Sequence, residues 1–191
     1  GSVLAIAGWG AWRMSTNALT REGDPIRVAV VQANIEQENK WNPALSDAIF
    51  ERYLAMSRRA LADRAGFVIW PESSTPFYFE NDPRGTRVRT LAQQSQTPFL
   101  IGSDQIELVP KTTGSVAGTT PRGPAESRIY NAAFLVGANG ATAGVYRKIH
   151  LVPFGEYVPL KRLLFFVGPL VEAVSDFAPG DTPSTLPIAG R

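Results

Sequence analysis

The chain of 191 residues contains no cysteine and only one histidine. Without cysteine it can form neither a disulfide nor a thiolate metal site, and a single histidine argues against a zinc site. We therefore expect no metal site. We also expect no other cofactor. Nucleophilic thiol chemistry would require a cysteine that these residues do not contain.

The chain also has little excess of positive over negative charge. The 19 Lys and Arg residues nearly balance the 17 Asp and Glu residues, which leaves a net charge of +2. The basic residues are scattered along the chain and never form a run longer than two. Nucleic-acid-binding domains instead concentrate positive charge in a patch or stripe, so we expect no nucleic-acid partner.

The apolar segments at the start of the chain are short. Residues 3–14 are mostly apolar, but a helix that spans a bilayer needs about 20 such residues. Trp9 and Trp12 beside Arg13 are typical of the aromatic belt at a membrane interface. We interpret residues 1–14 either as a surface segment or as the tail of a transmembrane helix, and residues 15–25 as a polar linker.

The chain does contain alternating strand and helix patterns. Residues 26–35 are apolar and β-branched, which predicts a buried central strand. Apolar residues then recur at helical spacing over residues 43–60, and residues 67–70 predict a second buried strand. Strand, helix and strand in this order imply a parallel pair, and the alternation indicates an α/β fold.

Later segments extend this pattern. The predicted elements are a helix over residues 83–96, a strand over 98–103, and hairpin strands over 128–136 and 143–146. Asn139-Gly140 supplies the turn of that hairpin. Residues 109–127 are rich in Gly, Pro, Thr and Ser and predict a loop, and residues 160–177 predict a broken helix.

Two segments place ionisable groups among apolar residues. Glu72 follows the strand at residues 67–70, and open α/β sheets carry reactive groups at the carboxyl ends of their strands. Residues 146–159, YRKIHLVPFGEYVP, contain Lys148 and Glu156. Charges in such surroundings are either paired or part of a site. Because each of the three ends or follows a strand that borders one predicted pocket, we predict that they converge. The alternative for Glu72 is a surface carboxylate, and for Lys148 a solvated lysine on a loop whose apolar residues are core. The alternative for Glu156 is a simple ion pair to Lys148 or to an arginine.

These same segments resemble the carbon–nitrogen hydrolase (nitrilase) superfamily. The superfamily resemblance lies in WPES at residues 70–73 and RKIHLVPFGEYVP at residues 147–159. Within the second segment, HLVPFGEYVP at residues 150–159 is similar to the signature of bacterial apolipoprotein N-acyltransferases. The resemblance covers residues 26–191 and implies the αββα sandwich of the superfamily. We expect that sandwich to be incomplete at its C-terminus, because the family's catalytic cysteine follows its glutamate and lysine. The family carries its catalytic domain after membrane helices, which favours the transmembrane interpretation of residues 1–14.

The resemblance also implies roles for individual residues. Glu72 matches the general base, Lys148 the catalytic lysine, and Glu156 a second glutamate that holds the site. Trp41 matches a substrate-binding tryptophan at the rim, although packing against the start of the following helix explains it equally well. The implied reaction transfers an acyl chain from a phospholipid to the N-terminal amine of a lipidated apolipoprotein, through a cysteine thioester.

The implied partners are therefore a phospholipid donor, a lipidated apolipoprotein acceptor and the membrane itself. The implied location is the bacterial inner membrane, with the catalytic domain on the periplasmic side. The apolar residues 76–79 and 163–170 are candidates for membrane-facing arms, with burial in the core as the alternative for both segments. Two alternatives remain open: a soluble carbon–nitrogen hydrolase acting on a small amide or nitrile, and a non-catalytic binding module.

Overall fold

The structure, a computed structural model, describes residues 1–16, 23–36, 38–109, 126–157 and 177–188. Within these ranges one five-stranded sheet follows the order of the chain. Its strands are β1 (Val28–Val30), β2 (Phe67–Ile69), β3 (Phe99–Val109), β4 (Glu126–Val136) and β5 (Thr142–Arg147). β1 to β3 run parallel, and β3 to β5 run antiparallel. The predicted α/β class is confirmed.

The described residues also form three α-helices. These are α1 (Ser2–Thr16), α2 (Ser46–Ala62) and α3 (Gly85–Ser95). A short 3₁₀ turn at Pro43–Leu45 precedes α2, and the Asn42 side chain accepts a hydrogen bond from the backbone N–H of Ala44 at 3.0 Å. The Asn-Pro pair therefore begins the helical region, as the sequence predicts.

The hydrophobic core lies between one face of the sheet and the helices α2 and α3. Its fully buried side chains include Phe50 and Leu54 of α2, Val88 of α3, and Ile101 and Phe134 of the sheet. Side chains alternate between the two faces of a strand. The neighbours of the core residues in β3 and β4 therefore point to the opposite face, which we call the open face.

The hairpin formed by β4 and β5 confirms the predicted turn. Gly140 has a φ of +79°, and the Asn139 side chain accepts a hydrogen bond from the Ala141 backbone N–H at 3.0 Å. A positive φ is readily adopted by glycine, which explains the Asn-Gly sequence. The hairpin returns the chain across the sheet and leads directly to Lys148.

A strand forms within residues 26–35 and pairs in parallel with β2, as predicted, but the prediction that this strand is buried and central is wrong. In the described sheet, β1 is an edge strand of three residues, and Val28 and Val30 are 43% and 73% exposed. Val31 and Ala33, which follow β1, are buried in the core. An apolar run buried on one side resembles a fully buried strand in composition, so composition could not distinguish them.

The prediction of a membrane-facing arm over residues 76–79 is also wrong. Phe79 is 1% exposed and packs against Phe134, with ring centroids 5.5 Å apart. Phe77 packs edge-on against Phe50 at 5.1 Å. These aromatic side chains belong to the core because α2 and β4 cover them. The second predicted arm, residues 163–170, lies outside the described residues, as do most of the predicted loop 109–127 and most of the broken helix 160–177.

Helix α1 has no buried residue. Trp9 and Trp12 are 63% and 57% exposed, and the Arg13 guanidinium lies 5.8 Å from the centre of the Trp9 ring. None of the helices in the described part of the chain is long and apolar enough to cross a membrane. The interpretation of residues 1–14 as a helix tail, and of residues 15–25 as a linker, stays a prediction.

Candidate active site

The register of β3, β4 and β5 places three polar residues in one row across the open face. Asp104 of β3 pairs with Asn131 of β4. Lys148 directly follows β5, and its backbone N–H donates to the Asn131 carbonyl at 2.8 Å. Directly opposed residues of antiparallel strands project to the same face. The sheet therefore brings together side chains that are far apart in the sequence.

Glu72 reaches this row from the carboxyl end of β2, where Trp70 anchors the chain. The indole of Trp70 stacks on Tyr53 with centroids 4.9 Å apart, and its Nε1 donates to Ser57 Oγ at 2.8 Å. Both partners belong to α2. The residue two positions before Glu72 is thus attached to the helix layer, which restricts where the following backbone can go.

Gly102 of β3 lets the chain after Trp70 cross the open face. A Cβ atom at this position would lie 2.2 Å from the carbonyl oxygen of Pro71 and 2.7 Å from the Cα of Glu72. Such distances are far below a van der Waals contact, and both atoms belong to backbone. Glycine is therefore required here for Glu72 to approach the row.

The three predicted site residues converge. Lys148 Nζ lies 3.1 Å from Oε1 of Glu72 and 3.0 Å from Oε1 of Glu156. The side chains of Lys148 and Glu156 are 28% and 12% exposed, whereas that of Glu72 is 58% exposed. One ammonium thus bridges two carboxylates, and Glu72 is the carboxylate more accessible to another molecule. The predicted convergence is confirmed.

Asn131 is a site residue that the sequence reasoning missed. Its Nδ2 donates to Oε1 of Glu72 and, at 2.7 Å, to Oε1 of Glu156, so it bridges the same two carboxylates as Lys148. The residue is only 6% exposed. Its signal in the sequence is a lone amide inside the otherwise apolar end of β4, since a buried amide needs hydrogen-bond partners.

The environment keeps Glu156 and Lys148 charged. Burial raises the pKa of Glu156, but hydrogen bonds from the Val152 backbone N–H, Asn131 and Lys148 outweigh it and hold the pKa below its ordinary value. Burial lowers the pKa of Lys148, but hydrogen bonds to Glu156 and Glu72 outweigh it and raise the pKa. The cluster therefore holds a permanent ammonium between two acidic side chains at neutral pH.

Trp41 lies in the turn that precedes α2 and is 48% exposed. Its neighbour Lys40 donates from Nζ to the backbone carbonyl of Glu72 at 3.3 Å. The turn that carries Trp41 is thus joined to the Glu72 segment. A substrate-binding role for Trp41 stays a prediction.

An apolar cavity of about 350 Å³ adjoins the cluster on the open face. Lys148 and Glu72 lie on its wall, together with Leu100, Ala133 and Tyr146. Across the described ranges, no three side chains of His, Asp or Glu cluster closely enough to hold a metal ion. The chemistry available at this site is that of an ammonium, two carboxylates and an amide.

The sequence and the fold have counterparts among known proteins. Residues 27–188 match the carbon-nitrogen hydrolase family, so the chain belongs to that family. The structure resembles Nit3 of Saccharomyces cerevisiae, a nitrilase-superfamily member, with a TM-score of 0.51 and 19% sequence identity over 86% of this chain and 52% of that chain. At this identity the likeness concerns the fold, and it confirms the predicted nitrilase type.

More specific similarity comes from curated sequences. The apolipoprotein N-acyltransferase of Geobacter metallireducens is 38% identical over 160 residues, which cover 83% of this chain and 28% of that protein. The apolipoprotein N-acyltransferase of Brucella suis is 31% identical over 191 residues, which cover 97% of this chain and 34% of that protein. The resemblance noted at residues 70–73 and 150–159 is confirmed. The chain spans about a third of the length of these relatives.

Proposed function

We propose that this chain supplies the glutamate and lysine of an apolipoprotein N-acyltransferase. The complete enzyme would transfer an acyl chain from a phospholipid to the N-terminal amine of a lipidated apolipoprotein. One observation carries the proposal: Lys148 Nζ contacts both Glu72 and Glu156 in a chain similar to enzymes of that name. That similarity favours acyl transfer over the hydrolysis of a small amide or nitrile, which the same residues would also serve.

In this proposal Glu72 is the general base. The nucleophile is a cysteine thiol that these 191 residues do not contain. Glu72 removes the proton of the thiol, and the thiolate attacks the ester carbonyl of the phospholipid. The departing alkoxide takes the proton back from Glu72, which leaves a thioester. The amine of the apolipoprotein then attacks the thioester, Glu72 accepts its proton, and the thiolate leaves. The exposure of the Glu72 carboxylate supports this role.

Lys148 is proposed to stabilise the oxyanion that develops in each attack. An ammonium fixed by two carboxylates needs no reorganisation when negative charge develops nearby. Glu156 and Asn131 are proposed to position it, because Glu156 accepts a hydrogen bond from Lys148 and Asn131 donates to both carboxylates that hold the ammonium. Trp41 is proposed to contact substrate at the rim.

The same proposal gives a role to each of the three segments of the chain. Residues 26–191 would be the N-terminal part of the hydrolase domain, and residues 1–14 the segment next to the membrane, joined by residues 15–25. The exposed Trp9 and Trp12 support a membrane-adjacent α1. The site would then lie on the periplasmic side of the bacterial inner membrane, where phospholipid and lipoprotein substrates meet.

Intact mass spectrometry tests the chemistry. A longer polypeptide that contains the nucleophilic cysteine is incubated with phospholipid, alongside the 191-residue chain. We expect an acyl adduct on the longer polypeptide alone, and its loss in Glu72→Ala and Lys148→Ala. The matched control is Glu51→Ala, which removes an exposed carboxylate paired with Arg87 on the helix layer and should keep the adduct. An adduct on the 191-residue chain, or one that survives Lys148→Ala, would contradict the proposal.

A further inference from the structure

The three hydroxyl residues that follow Glu72 all donate hydrogen bonds to β3. The bonds are Ser73 Oγ to Asp104 Oδ1 at 2.8 Å, Ser74 Oγ to the Gly102 carbonyl at 2.7 Å, and Thr75 Oγ1 to Ser103 Oγ at 2.6 Å. All three residues are buried. The segment after Glu72 is therefore held against the strand that crosses beneath it.

Ser73 differs from the other two in its backbone. Its φ is +44°, in the left-handed region that residues with side chains rarely adopt. Such a conformation persists only when surrounding contacts hold it. The side chain of Ser73 makes a contact of this kind, since its hydroxyl donates to Asp104.

Asp104 is a carboxylate in an unusual place. It is 7% exposed and lies in the same row as Asn131 and Lys148. Burial raises the pKa of Asp104, and the Ser73 hydrogen bond opposes that change only in part. The charged groups that act on it are Lys40, Glu72 and Glu156. The mechanism proposed above gives Asp104 no role.

We propose that Ser73 and Asp104 are positioning residues that hold the left-handed turn after Glu72, and thereby keep the Glu72 carboxylate on Lys148. This inference rests on the proposed function of Glu72 as the base. Ser73 directly follows Glu72 in the chain. If the turn at Ser73 relaxed to another backbone conformation, the Glu72 side chain would therefore point in another direction. Because Glu72 is 58% exposed, packing alone does not hold that side chain in place.

Thr75 provides the matched control. It is fully buried in the same segment and has a similar hydroxyl hydrogen bond to β3, but it is not adjacent to Glu72. Thr75→Val should lower stability without moving the Glu72 carboxylate. If Ser73 had a merely structural role, Ser73→Ala would likewise lower stability without moving the Glu72 carboxylate.

The first experiment does not depend on enzyme activity. The pKa of the Lys148 ammonium is measured by NMR in the 191-residue chain, with Glu72→Gln as the reference for a lost partner. Because Glu72 raises the pKa of Lys148, we expect Ser73→Ala and Asp104→Val to lower it towards the Glu72→Gln value. Asp104→Asn, which keeps an acceptor oxygen for Ser73, and Thr75→Val should leave it near the wild-type value. An unchanged pKa in Ser73→Ala would overturn the proposal.

The second experiment measures kcat and KM in the longer polypeptide that contains the cysteine. We expect Ser73→Ala and Asp104→Val to lower kcat about 10-fold or more, with little change in KM, because misplacing a catalytic group slows the chemical step. Asp104→Asn should restore most of kcat, and the Ser73→Ala/Asp104→Val double variant should be no slower than the slower single variant. Wild-type kcat in both single variants would overturn the proposal.

The two experiments separate this inference from the proposed function. If the wild-type longer polypeptide transfers no acyl group, the proposed function fails. The pKa of Lys148 in the Ser73 and Asp104 variants still decides whether the pair positions Glu72.

Discussion

The two faces of the sheet are built from alternate residues of the same strands, and they bury different chemistry. On the helix-covered face, Ile101 and Phe134 are fully buried among apolar side chains. On the open face, Asp104 and Asn131 are almost as buried, yet they are polar and bonded to other site residues. One face therefore contributes stability through apolar burial, and the other holds charges at defined positions.

Neighbouring positions in β3 allow this difference to be tested. Ile101 faces the core, and Gly102 lies under the backbone of Pro71 and Glu72. If the two faces have separate roles, substitutions at these adjacent positions should separate stability from site geometry.

The largest effect on stability is expected for Ile101→Ala. Removing a fully buried isoleucine side chain leaves a cavity, and such substitutions cost about 2–5 kcal/mol. Urea unfolding measures this free energy. In the protein that remains folded, the pKa of Lys148 should stay raised, because the open face is unchanged. A decrease in the free energy of unfolding below about 1 kcal/mol, or a Lys148 pKa at its ordinary value, would contradict separate roles for the two faces.

Gly102→Ala should have a smaller effect on stability and a larger effect on the site. The new methyl group meets the Pro71 carbonyl, and overpacking of this kind costs about 1–3 kcal/mol. The displaced backbone should carry Glu72 away, so the Lys148 pKa falls and acyl transfer by the longer polypeptide slows about 100-fold. Gly66→Ala is the control, because the nearest atom to its Cβ is at an ordinary 3.5 Å. Full activity in Gly102→Ala would show that the position of Glu72 does not depend on the close approach of its backbone to Gly102.

The smallest effect is expected from the charge of Glu156. Its pKa is lowered in the folded protein, so its contribution to stability is present above the unfolded pKa and is lost as the pH falls through the folded pKa. Glu156→Gln should therefore lower the free energy of unfolding at pH 7, and the difference from wild type should shrink on acidification. Urea unfolding at several pH values measures this, with the exposed Glu126→Gln as control. A difference that is constant with pH would contradict the assignment.

The charged part of the site was predicted from local features of the sequence together with the family resemblance. Lys148 and Glu156 stand out because they are ionisable groups in an apolar segment, and Glu72 because it follows a strand. Asn131 and Asp104 were missed because their importance depends on the pairing of β3 with β4, which neither strand specifies alone. Ser73 was not singled out from the sequence, since a positive φ has no signature in a serine.

The fold was predicted to a similar extent. The hairpin turn and the helix α3 carry local signals in glycine placement and apolar spacing, and both were predicted close to their observed positions. The exposure of β1 and the burial of Phe79 depend on which elements lie alongside them. Apolar composition alone carries no information about those neighbours.

The pairing of Asp104 with Asn131 also bears on how the sheet selects its alignment. If β4 slipped by one residue along β3, Asn131 would turn towards the apolar core and Ala132 would leave it. A buried amide without hydrogen-bond partners is costly, so the misaligned sheet would be less stable. The core face would gain an unpaired amide, and the open face would lose the amide that contacts the carboxylates. The amide that bridges the two carboxylates thus also favours one strand alignment, and only the correctly paired sheet brings the site residues together.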